Sequence, residues 1–166
     1  MQDALTVYFD GEKNAGMLLA GWAVAVLMTA VVIFRAGSAF RPFAVTLGVV
    51  AVAEIALGAG LYRRTGPQVA RLEEQLRSAP AQYYADEDVR MARVQRNFLV
   101  IEYVELFVIV VASVAAVLFK GRPGVVGVAL GLLISASILL AFDLYAERRG
   151  AEYVSAIADA QRGAAG

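Results

Sequence analysis

Four long apolar stretches dominate this sequence, and three of them contain carboxylates. The stretches cover residues 15–34, 43–62, 98–119 and 124–145, and each is 20 to 22 residues long. A bilayer core about 30 Å thick is crossed by ~20 helical residues at ~1.5 Å each. We therefore predict an all-α integral membrane protein, in which two transmembrane helical hairpins form a four-helix bundle within a single domain, 1–166.

The residues outside these stretches are predicted to form short amphipathic juxtamembrane helices. In the extramembrane segment 65–97, Pro67 could open a helix that Pro80 ends, and a second helix is expected from Asp86 into the third span. A C-terminal amphipathic tail covers 147–166. Segments with one apolar face and one charged face beside a span are typical of helices that lie in the membrane interface.

Composition excludes several kinds of chemistry. The chain has no Cys and no His, which removes thiolate chemistry, disulfides, the commonest metal ligand and the commonest general base. We predict no cofactor, no metal site and no catalytic residues, and we expect the chain not to be an enzyme. The formal net charge of zero gives no indication of nucleic-acid binding.

The basic residues predict the orientation in the membrane. Eleven of the 15 Lys and Arg residues lie on the side that holds both termini and the segment 65–97 with its flanks. The positive-inside rule therefore places both termini in the cytoplasm. The ratio of 13 Arg to 2 Lys in a chain rich in Ala, Val and Gly favours a GC-rich bacterial genome, and hence the bacterial inner membrane.

Ionisable side chains inside the predicted spans are the main functional indication. They are Glu54, Glu102, Glu105 and Asp143, all in the half of the membrane nearest the segment 65–97. A charge near the midplane costs about 2.5–3.5 kcal/mol, so such residues commonly serve a function. We predict that the four acids line one pocket for a cation, a proton, an amine or a partner segment. The alternative is structural, with Glu102 and Asp143 paired to bases at the interface to fix the order of the helices.

Glu54 lies deepest, about 12 Å from the nearer end of its span. We predict that it faces the bundle interior, is at least partly protonated, and hydrogen-bonds to Glu105, Ser135, Ser137 or a trapped water. Candidate charge partners for the acids are Lys13, Arg93, Arg96 and Arg148.

Small residues at four-residue spacing predict close helix packing. The fourth span carries Gly127, Gly131 and Ser135, and the second carries Ala56 and Gly60. This pattern suits helix packing within one chain, and it equally suits a homo-oligomer.

Several short stretches resemble a group of small four-span bacterial inner-membrane proteins to which no activity is assigned. The matching stretches are Phe9-Asp10-Gly11-Glu12-Lys13, Arg64-Thr65 with Gln68-Val69, Arg90-Met91, Asn97-Phe98 with Glu105, and Asp143-Leu144-Tyr145-Ala146-Glu147-Arg148-Arg149. The resemblance covers most of the chain and implies the fold and the location, but no activity.

Three functions are compatible with these features. The leading hypothesis is a non-enzymatic inner-membrane accessory or interaction protein, for example of the immunity type, whose partners are the lipid bilayer and a protein partner or a second copy. The first alternative is a small proton- or cation-coupled transporter. The second alternative is a lipid-acting membrane enzyme with Arg93 and Arg96 as a phosphate clamp.

Overall fold

A computed structural model describes residues 1–164, and within them the chain is four long helices. These are α1 (Gln2–Ala36), α2 (Arg41–Ser78), α3 (Pro80–Leu118) and α4 (Pro123–Ala164), with a 3-10 turn at Ser38–Phe40. Each helix contains a stretch long and apolar enough to cross a membrane. The predicted all-α four-helix membrane fold is therefore confirmed. The last two residues of the predicted tail 147–166 lie outside the described residues.

The four helices are longer than a bilayer core is thick. They contain 35 to 42 residues, or roughly 52–63 Å at ~1.5 Å per residue, against a hydrocarbon core of ~30 Å. The connections at residues 37–40 and 119–122 are short. The excess length of all four helices therefore projects on the other side, where the N-terminus and the α2–α3 junction lie.

The two predicted helix boundaries in the segment 65–97 differ from the structure. Pro67 lies inside α2 instead of opening a new helix, and α3 begins at Pro80 instead of near Asp86. Pro67 cannot bond to the carbonyl of Arg63 four residues earlier. That carbonyl lies beyond the second apolar stretch, where water can satisfy it. Pro80 occupies a first-turn position, where no intrahelical N–H bond is lost.

The helices pack as two hairpins that meet along one seam. α1 lies along α2, α3 lies along α4, and the hairpins meet mainly through α2 and α4. Every seventh residue of α2 is buried, in the series Ala44, Ala51, Gly58, Thr65 and Leu72. A seven-residue repeat is typical of helices that wrap around one another with a left-handed twist.

The largest fully buried side chains lie outside the predicted spans. A single core cluster combines α1, α2, α3 and α4 through Leu5, Tyr8, Phe9, Leu72, Tyr83, Met91, Tyr153 and Ile157. The apolar faces of 65–97 and of the tail thus pack on one another, rather than lying on lipid. The extramembrane ends of the four helices form a small bundle of their own, which we call the outer bundle (residues 2–14, 63–78, 80–97 and 146–164).

Candidate functional site

The best-defined carboxylate pair lies between α3 and α4. The carboxyl groups of Glu105 and Asp143 are within hydrogen-bonding reach of each other. Glu105 is only 7% exposed, and its Oε2 atom is buried without a hydrogen-bond partner. Because α3 and α4 run antiparallel, a residue early in one span faces a residue late in the other.

A second carboxylate pair lies about one turn closer to the outer bundle. Glu102 reaches Glu147 across the same two helices, and the Oε1 atom of Glu102 is buried without a partner. Glu147 was not among the predicted site residues, because it follows the last span. Glu147 lies four residues after Asp143 and therefore on the same helix face, and this spacing is the sequence signal that places it beside the other acids. We call Glu102, Glu105, Asp143 and Glu147 the carboxylate ladder.

Within residues 1–164 no basic side chain forms an ion pair with the ladder. The ion pairs found there are Arg77–Glu73, Arg90–Glu87, Arg148–Glu152 and Arg162–Asp159. Of the predicted charge partners, Lys13 lies 5.0 Å from the ring centroid of Tyr62 and Arg148 lies 3.6 Å from Glu152. Arg93 and Arg96 are exposed. Within the described residues these bases therefore form no ion pair with the intramembrane acids, and their role as charge partners stays a prediction.

Glu54 occupies a different place from the ladder. It is 3% exposed, so the prediction that it faces the bundle interior is confirmed. Its side chain lines a cavity of about 210 Å³ between α1, α2 and α4, together with Trp22, Thr29 and Ser135. No ladder residue lines this cavity. The single acid-lined pocket expected from the sequence is thus divided into two separate acidic sites.

Neither acidic site brings three or more carboxylates of the described residues together around one point. Among the described residues, no group of three or more Asp and Glu side chains converges closely enough to hold a metal ion. The ladder instead contains two pairs of carboxyl groups, Glu105 with Asp143 and Glu102 with Glu147, whose oxygens face each other. Two negative charges within hydrogen-bonding reach of each other in a weakly polar medium repel by several kcal/mol. A proton shared between the members of a pair, or a small cation held between them, would remove this repulsion.

The outer bundle contains a buried ion pair that sequence analysis missed. Glu87 is 1% exposed and accepts two hydrogen bonds of 2.7 Å from Arg90, one helical turn further along α3. The hydroxyl of Tyr153 donates to Glu87 at 2.9 Å, and Tyr83 and Tyr153 share a 2.7 Å hydrogen bond. The signal was a charged residue, Glu87, set between Tyr83 and Met91 on an apolar stripe.

Arg90 also connects this ion pair to the first helix. Its guanidinium carbon lies 5.3 Å from the ring centroid of Phe9 and 6.0 Å from that of Tyr8. A guanidinium over aromatic faces is attracted to their negative π-density. Arg90 therefore holds α1, α3 and, through Glu87 and Tyr153, α4 in one arrangement.

The tyrosines of this network predict a loss of stability in alkali. Burial is the main cause that raises the pKa of Tyr83 to about 12, and burial also raises the pKa of Tyr153. Tyrosine in the unfolded chain loses its proton near pH 10. The stabilisation is therefore complete below about pH 10 and is lost as the pH rises through about 12. We expect the melting temperature in detergent to fall between pH 10 and 12, and to fall less in Tyr153→Phe. A melting temperature that stays constant to pH 12 would contradict this expectation.

The predicted packing residues behave differently on the two helices. A Cβ atom added to Gly127 would lie 3.0 Å from the backbone nitrogen of Phe43, and one on Gly131 would lie 2.8 Å from Cβ of Thr46. These glycines therefore pack α4 against α2 within one chain. Ala56 and Gly60 are exposed, and a Cβ on Gly60 meets nothing within 4 Å. Within the described chain they do not pack the bundle.

α1 and α2 approach each other closely at a pair of glycines that was not predicted. A Cβ atom on Gly58 of α2 would lie 2.5 Å from the carbonyl oxygen of Gly16 on α1, and one on Gly16 would lie 2.9 Å from that of Gly58. Only glycine at both positions lets the two backbones come this near.

Together the fold and its surface define a multi-pass α-helical membrane protein. Large apolar side chains on the spans are exposed, among them Val32, Phe107 and Val117, as expected for faces that contact lipid chains. Comparison of the chain with protein-family models, curated proteins and solved structures finds no match.

Proposed function

We propose that this chain is a non-enzymatic membrane protein that binds protons or a small cation at the carboxylate ladder. The observation that carries the proposal is the pairing of Glu105 with Asp143 and of Glu102 with Glu147, without an ion pair to any described base. Such an arrangement is costly unless a positive species occupies it. A protein that needed these acids only to fix helix order would gain more from opposite charges.

Access from one side supports binding rather than conduction. Glu147 lies beyond the last apolar stretch, and Glu105 and Asp143 lie about one turn deeper, so the ladder leads inward from the outer bundle. In the other half of the bundle, Gly127 and Gly131 pack closely against α2. The groove of about 440 Å³ between α3 and α4 in that half is lined by apolar residues such as Phe107, Val111 and Val128. A transporter would need a route through this half.

Contacts next to the ladder support an accessory role, in which occupancy of the ladder changes the outer bundle. The side chain of Gln95 donates to the backbone carbonyl of Glu147 at 3.5 Å. Gly150 lies against the side chains of Gln95 and Met91, and Met91 belongs to the buried core cluster of the outer bundle. A change in spacing between α3 and α4 at the ladder would therefore shift the packing around the buried Met91 and, through it, the arrangement of the outer bundle. Eleven of 15 basic residues lie on this side, which supports a cytoplasmic outer bundle in a bacterial inner membrane.

The test removes charge from the deeper pair and measures stability at two pH values. At pH 8 the paired carboxylates of the wild type repel, whereas at pH 5 they share protons. We expect the melting temperature in detergent to be several degrees higher at pH 5 than at pH 8, and Glu105→Gln to reduce this difference by at least half. Glu105→Gln should also melt higher than wild type at pH 8, because the repulsion is gone.

The control is Glu74→Gln, which removes an exposed carboxylate of α2 in the outer bundle and should leave the pH difference unchanged. Addition of Na⁺ or K⁺ at pH 8 distinguishes a metal cation from a proton, since only a bound cation raises the melting temperature at constant ionic strength. An equal pH response in wild type and Glu105→Gln, with no cation effect on either, would refute the proposal.

A further inference from the structure

Two buried polar groups converge on the cavity between α1, α2 and α4 without using their hydrogen-bonding capacity on the protein. Glu54 is 3% and Ser135 is 6% exposed, and both line the cavity. None of the side-chain hydrogen bonds found within residues 1–164 involves Glu54 or Ser135. The hydroxyl of Ser135 is exceptional, because Thr29, Thr46, Ser113 and Ser137 each donate to the carbonyl four residues earlier.

Apart from Glu54, Ser135 and Thr29, whose hydroxyl donates to the carbonyl of Ala25, the cavity walls are mainly apolar. Leu47, Val26 and Ile138 form the interior walls, and the exposed residues Trp22 and Ile134 lie at the rim. Trp22 lies in the second half of α1 and Ile134 in the first third of α4, and both are inside apolar stretches. The cavity therefore opens sideways toward the lipid chains and not toward water.

We propose that this cavity binds a protonated lipophilic amine that enters from the bilayer. An ammonium group supplies what Glu54 lacks, a positive charge and several hydrogen-bond donors. The indole of Trp22 offers a π-face to a cation, and Ser135 can accept a further N–H. The proton can reside on either the carboxyl or the amine, and the pair carries no net charge in both cases, which makes its burial less costly than that of a lone ion.

The size of the cavity limits how much of the amine is enclosed. About 210 Å³ is less than the ~300–1,000 Å³ typical of sites that enclose a drug-sized ligand. The cavity therefore admits the ammonium group and the first few carbons, while the rest of an alkyl chain lies against Ile134 among the lipid chains. This site is independent of the carboxylate ladder, which lies on the α3–α4 pair.

The test uses Trp22, the single tryptophan of the chain, as a fluorescent reporter at the rim. The full chain in lipid nanodiscs is titrated with octylamine, and with octanol as the neutral analogue of equal length. We expect octylamine to change the Trp22 emission saturably and octanol to act at least ~10-fold more weakly, because a hydrogen-bonded charge is worth about 1.5–3 kcal/mol.

Three variants decide the outcome. Glu54→Gln should weaken the octylamine response at least 10-fold while folding as stably as wild type, since an amide needs no counter-charge at this depth. Ala25→Leu, which adds bulk to the cavity wall and keeps Glu54, should also weaken it. Glu105→Gln should leave the response unchanged. Equal responses to octylamine and octanol, an undiminished response in Glu54→Gln, or a loss in Glu105→Gln instead would overturn the proposal.

Discussion

Arg90→Ala should lower the free energy of unfolding by about 3–5 kcal/mol, because it removes the partner of a carboxylate that is 1% exposed. Glu87 would keep the hydrogen bond from Tyr153 but lose both bonds from the guanidinium. The aromatic faces of Tyr8 and Phe9 would also lose the cation above them. Thermal or denaturant unfolding in detergent, followed by far-UV circular dichroism, measures the loss.

Two further variants separate the cost of leaving a buried charge without its partner from the cost of losing an ion pair as such. Arg77→Ala breaks an exposed pair with Glu73 at 3.7 Å and should cost less than about 1 kcal/mol. Glu87→Gln combined with Arg90→Ala should recover part of the loss, because the remaining amide needs no counter-charge. If the double variant were less stable than Arg90→Ala by the full cost of Glu87→Gln alone, the two side chains would not be coupled.

Gly58→Val should cost about 3 kcal/mol, toward the upper end of what overpacking does. The new Cβ would lie 2.5 Å from the carbonyl oxygen of Gly16 and 3.0 Å from the backbone nitrogen of Ala20. Because both of these contacts are to backbone atoms, no side-chain rotation can relieve them, and α1 and α2 must move apart. Loss of thermal stability and faster proteolysis of the N-terminal helix would report the separation.

Gly60→Val is the matched control, since it makes the same substitution two residues later on the same helix. A Cβ there meets nothing within 4 Å, so its stability should stay within about 0.5 kcal/mol of wild type. Size-exclusion chromatography with light scattering on the same variant also tests the homo-oligomer hypothesis. Dissociation in Gly60→Val would assign the exposed Ala56–Gly60 face to a contact between copies.

The fold was largely predictable from the sequence because the bilayer imposes simple requirements. Runs of 20 to 22 apolar residues can only cross as helices, and short polar turns between them allow only hairpins. The inward orientation of Glu54 was predictable for the same reason, since a carboxyl facing lipid is too costly at that depth. These conclusions depend on length and polarity, which a single sequence states directly.

The arrangement of the acids was less predictable because it depends on how the helices are rotated against one another. Depth alone placed Glu54 with Glu105, whereas packing directs Glu54 toward α1 and α4 and Glu105 toward Asp143. Glu147 was missed because it lies beyond the apolar stretch. The small residues Ala44, Ala51, Gly58 and Thr65 recur every seven positions and continue past the end of the second apolar stretch. This repeat is the sequence signal that indicates which face of α2 is buried.

Pro67 was predicted to begin a helix, but it lies inside α2. Whether a proline breaks a helix depends on whether the carbonyl it leaves unbonded is exposed to water, which the sequence alone does not state. Inside the apolar stretch, the carbonyl it leaves unbonded would be costly, and a break would be expected. Just outside the stretch, Arg63 and Pro67 are exposed, so water can bond to the free carbonyl and the loss of one backbone hydrogen bond costs little. Packing of Leu72 in the buried core cluster of the outer bundle then favours continuation of the helix.

The unbroken course of α3 and α4 has a mechanical consequence. After Pro80 and Pro123, neither helix contains a proline, and both run as single helices from the bilayer into the outer bundle. No proline interrupts α3 between Glu105 and Met91, which are separated by roughly 20 Å at ~1.5 Å per residue. A tilt of α3 by about 5° at Glu105 would therefore displace Met91 by roughly 2 Å. α2 alone carries a proline near the boundary, so any bending that absorbs such a displacement is expected at Pro67, leaving α3 and α4 to turn as rigid rods.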